Sequence, residues 1–129
     1  MTRPGPRGQL LLCFAGIDVL YGWGILAADG KTRASPAYAF PGEIFPLHAW
    51  ALIWLFTAAL LVTAAFVPRL DTAGFATAIG IKCAWGLLML GGWLAGDIPR
   101  GYVSTGIWVG VAGAVAVCGR HLPASRDGG

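Results

Sequence analysis

Two ionisable side chains stand inside stretches otherwise built for apolar surroundings: Asp18, in the segment from Gln9 to Ala28, and Lys82, in the segment from Ala73 to Ala95. A charge at the centre of a membrane-crossing helix costs about 2.5–3.5 kcal/mol on insertion scales, so such residues face protein or water and not lipid. Asp18 follows Gln9, and Lys82 follows Ala73, by the same nine residues. At about 1.5 Å per helical residue, each lies roughly 13 Å from its end of the helix. Opposite charges at matched depth predict an ion pair between the first and third segments that fixes their register. Two other chemistries use the same residues. Lys82 can extend toward the interface while Asp18 bonds hydroxyls or water, or Asp18 can be a proton-titrating or ion-pathway carboxylate.

No other reactive arrangement is visible. Serine occurs only at Ser35, Ser104 and Ser125 and histidine only at His48 and His121, with no nucleophile–base spacing among them. The HExxH, CxxC and Gly-rich phosphate-loop patterns are missing, as are clustered carboxylates. No metal site, no cofactor and no enzymatic activity are expected. Cys13, Cys83 and Cys118 sit in apolar stretches and read as small buried hydrophobic residues. His48 reads as a polar group at a helix end, and Asp97, Arg100 and the Arg69/Asp71 pair as solvated turn residues.

The elements that must position Asp18 and Lys82 follow from composition. Of 129 residues, 57% are hydrophobic and only 12% charged, half the charge density of an ordinary soluble domain. A formal charge of +3 without a Lys/Arg run argues against a nucleic-acid partner. Four segments have the roughly 20 apolar residues needed to cross a bilayer: Gln9 to Ala28, Leu47 to Val67, Ala73 to Ala95 and Gly101 to Cys118. Each must be helical, because lipid offers no partner to free backbone groups. The expected fold is therefore all-α, a single polytopic membrane domain built as an antiparallel four-helix transmembrane bundle. The first segment is expected to be retained and not cleaved, since it contains Asp18 and lacks a small-x-small cleavage site.

Arg3, Arg7, Arg69, Arg120 and Arg126 fall on one side and Lys31, Arg33 and Arg100 on the other. That bias predicts a cytoplasmic (inner) membrane protein with both termini in the cytoplasm. Tyr21, Trp23, Trp50, Trp93 and Tyr102 all lie toward the other boundary, where amphipathic rings favour the interface. The outer loop 29–46 carries Pro36, Pro41 and Pro46, which break regular structure, with Tyr38, Phe40, Ile44 and Phe45, which are too apolar for a solvated loop. It is expected to lie on the membrane surface or cap the bundle, or else to touch a partner. The tails 1–8 and 122–129 are rich in Gly, Pro and Arg and are expected to lack order.

Small residues recur every four positions at Ala76, Gly80 and Ala84 and at Gly106, Gly110 and Ala114. Such faces let helix backbones approach, within one chain or between chains. Gly16, Asp18, Tyr21 and Gly22 also line up at constant offset with Gly80, Lys82, Trp85 and Gly86. That alignment suggests a duplicated hairpin, although the second helices of the two halves match poorly because the loop after the third segment is much shorter.

The runs Leu20–Leu26, Leu70–Ala76 and Gly96–Gly101, together with a complete lack of Asn and only two lysines, resemble small four-span membrane proteins of actinobacteria and their phages. That resemblance implies a holin-like protein that oligomerises in the inner membrane during lysis. The residues themselves leave two alternatives: an accessory or structural subunit of another membrane protein, and a small transporter or channel using Asp18. The expected partners are the lipid bilayer and either a second copy of the chain or another membrane protein.

Overall fold

A computed structural model describes residues 3–123, and all regular structure among them is helical. Four long helices dominate: α1 (Pro6–Ala27), α4 (Leu47–Phe66), α5 (Asp71–Leu94) and α6 (Gly101–His121). They run 20 to 24 residues, about 30–36 Å at 1.5 Å per residue, enough to cross the hydrocarbon of a bilayer. Each is long and apolar enough to span a membrane. Two short helices, α2 (Gly30–Arg33) and α3 (Pro36–Ile44), precede α4, and a 3-10 turn at Pro68–Leu70 leads into α5.

Chain order makes successive long helices antiparallel. Both described termini lie at one end of the bundle, the tail end, and residues 28–46 and 95–100 at the other, the loop end. α1 packs mainly on α4, and α5 on α6; the two hairpins join through α4 against α5 and α1 against α5. α6 packs chiefly on α5 and is the least covered of the four. Two apolar clusters fill the interior. Leu11, Leu61, Phe75, Ala78 and Val115 occupy the tail half, and Ile25, Trp54, Trp85, Met89 and Ile98 the loop half.

The proline-rich stretch is more regular than its sequence suggests. Pro36 occupies the first turn of α3, where its missing N–H has no helical acceptor to lose. Pro41 lies inside α3, is buried, and its carbonyl accepts a hydrogen bond from Trp50 Nε1 at 2.9 Å. With Tyr38 and Phe40 packed on the loop-half cluster, α3 caps the bundle. Asp29 caps α2 by accepting from the Thr32 N–H at 2.8 Å, and the Thr32 bonds hold its carboxyl below the usual carboxylate range.

The turn 95–100 is tied down by Asp97 and Ile98 N–H groups donating to the Gly92 carbonyl at 2.8 and 3.0 Å. Gly96 takes φ 85° there, a left-handed conformation at little cost to glycine. Asp97 and Arg100 are exposed, whereas Ile98 plugs the core. Of the tails, residues 1–2 and 124–129 lie outside the described residues. The expectation of a disordered 1–8 segment is corrected at its inner end. α1 starts at Pro6, pre-set for a first helical position, and Gly8 is buried against the Ala65 carbonyl of α4.

Candidate functional site

α1 brings Asp18 and α5 brings Lys82 to the middle of the bundle. Lys82 Nζ donates to Asp18 Oδ1 at 2.6 Å, and both side chains are completely enclosed, at 0% exposure. The second carboxylate oxygen accepts a longer bond, 3.3 Å, from the Thr57 hydroxyl on α4; that hydroxyl also lies 2.8 Å from the Trp54 carbonyl. The Phe14 and Trp54 rings stand 5.5 and 5.7 Å from Nζ. The ammonium is therefore held by one carboxylate and two π faces, a setting in which cation–π attraction is strengthened by the lack of competing water. Lys82 bends into the protein and does not reach for an interface.

Directly loopward of the pair lies a plug of rings. Tyr21 and Trp54 contact each other and both Trp85 and Trp108, with centroids 4.7 to 5.8 Å apart. Trp85 Nε1 donates to the Tyr21 hydroxyl at 2.8 Å. Trp54 Nε1 is buried with no hydrogen-bond partner among the described residues. Trp50 extends the plug, stacking edge-on against Trp85.

This corrects part of the aromatic belt. Trp23, Trp93 and Tyr102 are exposed near the loop end, at 63%, 42% and 52%, and fit an interfacial position. Tyr21 and Trp50 instead turn inward, because each finds a buried polar partner that lipid headgroups would otherwise supply.

A second ion pair was not apparent in the sequence. Arg7, assigned to a tail, lies with Nε 2.6 Å from Asp71 Oδ2 at the tail end, and its Nη1 donates to the Gly119 carbonyl at 2.7 Å. Asp71 thus pairs across the bundle and not with neighbouring Arg69. Gly119 lies in the last turn of α6, whose carbonyls lack intrahelical donors; Arg7 satisfies one of them and places positive charge at the negative end of the helix dipole. The signal available was spacing: Arg7 and Asp71 share the 64-residue separation of Asp18 and Lys82.

The two small-residue stripes do not pack the bundle. Ala76, Gly80, Ala84, Gly106, Gly110 and Ala114 are all exposed. A Cβ on Gly80, Gly106 or Gly110 would meet nothing within 4 Å. Close approach inside the chain uses other glycines: Gly22 against Leu55 and the Ala51 carbonyl, Gly74 against Ala64, Gly86 against Trp108 and Val109. Spacing by four identified the small faces but not which way they turn, and in α6 the face toward α5 is instead built from Gly101, Thr105, Ala112 and Val115.

His48 is exposed in the first turn of α4. Beside it a cleft of about 320 Å³ is lined by Leu26, Arg33, Tyr38 and Leu47, among others. A second, of about 280 Å³, is lined by Thr72, Phe75 and Arg120, and a third, of about 210 Å³, by Phe40, Glu43 and Asp97. Asp18 and Lys82 line none of them. Among the described residues, no group of three His, Cys, Asp or Glu side chains could hold a metal ion. No family model, curated protein or solved structure matches the chain.

Proposed function

We propose that this small membrane protein works by association within the bilayer, as a preformed four-helix unit that presents the Gly106–Gly110–Ala114 face of α6 to further transmembrane helices. The supporting observation is that face itself. α6 is covered on one side only, and its glycines carry open space where a side chain would stand. Helices in lipid gain little from hydrophobicity, so a flat face that admits close backbone approach is where association is favourable. The role is non-enzymatic.

The sharper form of this reading is self-association of holin type in the inner membrane, with both termini cytoplasmic, in keeping with the resemblance to small phage and actinobacterial four-span proteins. The same face equally serves an accessory subunit that binds a different membrane protein. Transport through Asp18 has less support. Its carboxylate is fully enclosed, one oxygen is held by Lys82, and none of the three clefts reaches it.

Induced expression in a bacterium carrying a co-expressed endolysin and a potential-sensitive dye separates the forms. Holin-type assembly predicts abrupt collapse of the potential and lysis, both abolished by Gly110→Leu. An intact potential, with a co-purifying membrane protein lost in Gly110→Leu, supports the subunit form. Normal assembly and behaviour in Gly110→Leu contradict both.

A further inference from the structure

The contacts between the two hairpins repeat at one spacing. Asp18 meets Lys82 and Tyr21 meets Trp85, each 64 residues apart, and Arg7 meets Asp71 at the same offset. A residue touching its own equivalent, at three levels along two parallel helices, is the signature of an isologous contact around a two-fold axis. α4 and α6 obey the same rule at a shorter offset, set by the shorter connection 95–100: Trp54 meets Trp108. Cross-contacts then correspond in pairs. Tyr21 on Trp108 is the counterpart of Trp85 on Trp54, and both are made. Gly22 admits Ala51 and Leu55 of α4, and Gly86 admits Thr105 and Val109 of α6, which are equivalent positions. Buried core positions match as well: Leu11 with Phe75, Ala58 with Ala112, Leu61 with Val115. The second helices of the two halves, unaligned at the first offset, align at this one.

We infer that the α1–α4 and α5–α6 hairpins are two copies of one hairpin, and that the surface between them is a homodimer-type interface made selective by opposite charges at its self-contacting positions. In an unmodified two-fold dimer, a residue on the axis meets its own twin. An acid there would meet an acid and a base a base, at a cost that rises when water is excluded. Here position 18 is acidic where position 82 is basic, and position 7 is basic where position 71 is acidic. The partner this surface fits is therefore a hairpin of the same design carrying the complementary charges. The first half accepts the second and rejects another first half. Buried charges that fix register and partner identity at some cost in stability are known from coiled coils.

Equivalence has a consequence that an ordinary buried ion pair lacks. By the same equivalence, the Thr57 hydroxyl that supports Asp18 has Val111 of α6 as its counterpart, the position from which a hydroxyl would reach position 82. Exchanging the charges (Asp18→Lys with Lys82→Asp) moves the acid next to Val111, and exchanging the side-chain hydroxyl as well (Thr57→Val with Val111→Thr) restores its donor. The test is the folded-to-unfolded ratio of the full chain in detergent, read by intrinsic fluorescence during titration with a denaturing detergent. Each single charge reversal puts two like charges in contact and is expected to lower the ratio by at least on the order of 10²–10³-fold, the loss seen when a buried pair merely loses one partner. The charge exchange recovers most of that loss. The hydroxyl exchange lowers the ratio in the natural chain but raises it in the charge-exchanged chain. The inference is overturned if the charge-exchanged chain, with and without the moved hydroxyl, is no more stable than the single reversals. It is equally overturned if the hydroxyl exchange acts in the same direction on both backgrounds.

Discussion

Replacing Asp18 by Asn, Lys82 by Met, and both together measures what the central pair contributes. Both charged side chains have no exposed surface, and among the described residues the one other donor to the carboxylate is Thr57 at 3.3 Å. Asp18→Asn leaves the ammonium enclosed without a counter-charge, facing two aromatic rings. Lys82→Met leaves the carboxylate with one long hydrogen bond. Removing one partner of a buried pair costs about 3–5 kcal/mol. The double substitution removes both desolvated charges and retains the Thr57 hydroxyl, which still has the Trp54 carbonyl as acceptor. Its remaining cost is an amide with incomplete hydrogen bonding, about 1–2 kcal/mol. The singles sum to about 6–10 kcal/mol were the sites independent, so the double is expected to be more stable than either single. The assay is unfolding in mixed micelles of mild and denaturing detergent, followed by tryptophan fluorescence. A double variant no better than the worse single, or singles within about 1 kcal/mol of the natural chain, would refute the reasoning.

Glycine substitutions separate inward from outward faces. Gly8→Ala places a methyl against the Ala65 carbonyl, and Gly74→Ala meets Ala64 Cβ at 2.7 Å. Each is expected to lower stability by about 1–3 kcal/mol, as overpacking does, whereas Gly80→Ala and Gly106→Ala, whose new methyls meet open space, are expected to raise it by up to about 1 kcal/mol through helix propensity. Trp85→Phe removes the donor to the Tyr21 hydroxyl and is expected to destabilise by about 1 kcal/mol. Trp54→Phe deletes a donor that has no partner and is expected to cost less than Trp85→Phe in the same melt. Arg7→Gln loses the Asp71 contact and weakens the hold on the α6 end. Because both side chains keep some solvent contact, the expected loss is below about 1 kcal/mol, seen as faster amide exchange in the last turn of α6. The α2 cap depends on ionised Asp29, whose pKa is lowered by Thr32. Its contribution is present above the ordinary Asp pKa of 3.8 and lost as pH falls through the lower folded value, so the protection factor of the Thr32 amide, corrected for the intrinsic pH dependence of exchange, is expected to hold above that range and to fall as the carboxyl is protonated.

The fold was legible because length and apolarity leave a bilayer-spanning chain few choices. Four runs of about 20 apolar residues, broken at Pro68 and at Gly96–Arg100, place the long helices to within a few residues. The ends were harder. Pro6, Arg7 and Gly8 look like a tail by composition, but Arg7 has Asp71 and Gly119 to bind and Gly8 fits against α4, contacts that local sequence does not carry. The prolines of 29–46 suggested irregular chain, yet Pro36 suits the start of a helix and Pro41 a buried cap. Asp18 and Lys82 stood out because charge in an apolar helix demands a partner, and equal depth named it. Depth places Tyr21 and Trp50 at the interface, but depth alone does not tell an inward ring from an outward one. The small-residue stripes carry the same ambiguity: spacing by four marks a face suited to close approach within the chain or between chains, and the packing shows only that neither stripe is used within the chain.

The most direct measurement of the central claim is the sidedness of the chain in sealed membranes. Single cysteines at Gly5, Lys31, Asp97 and Leu122, in a chain with Cys13, Cys83 and Cys118 changed to Ala, are treated with a membrane-impermeant maleimide before and after permeabilisation. A bundle of four spans predicts that positions 5 and 122 label together from one side and positions 31 and 97 from the other. Labelling of 5 and 122 from opposite sides, or of all four from one side in sealed vesicles, would contradict it.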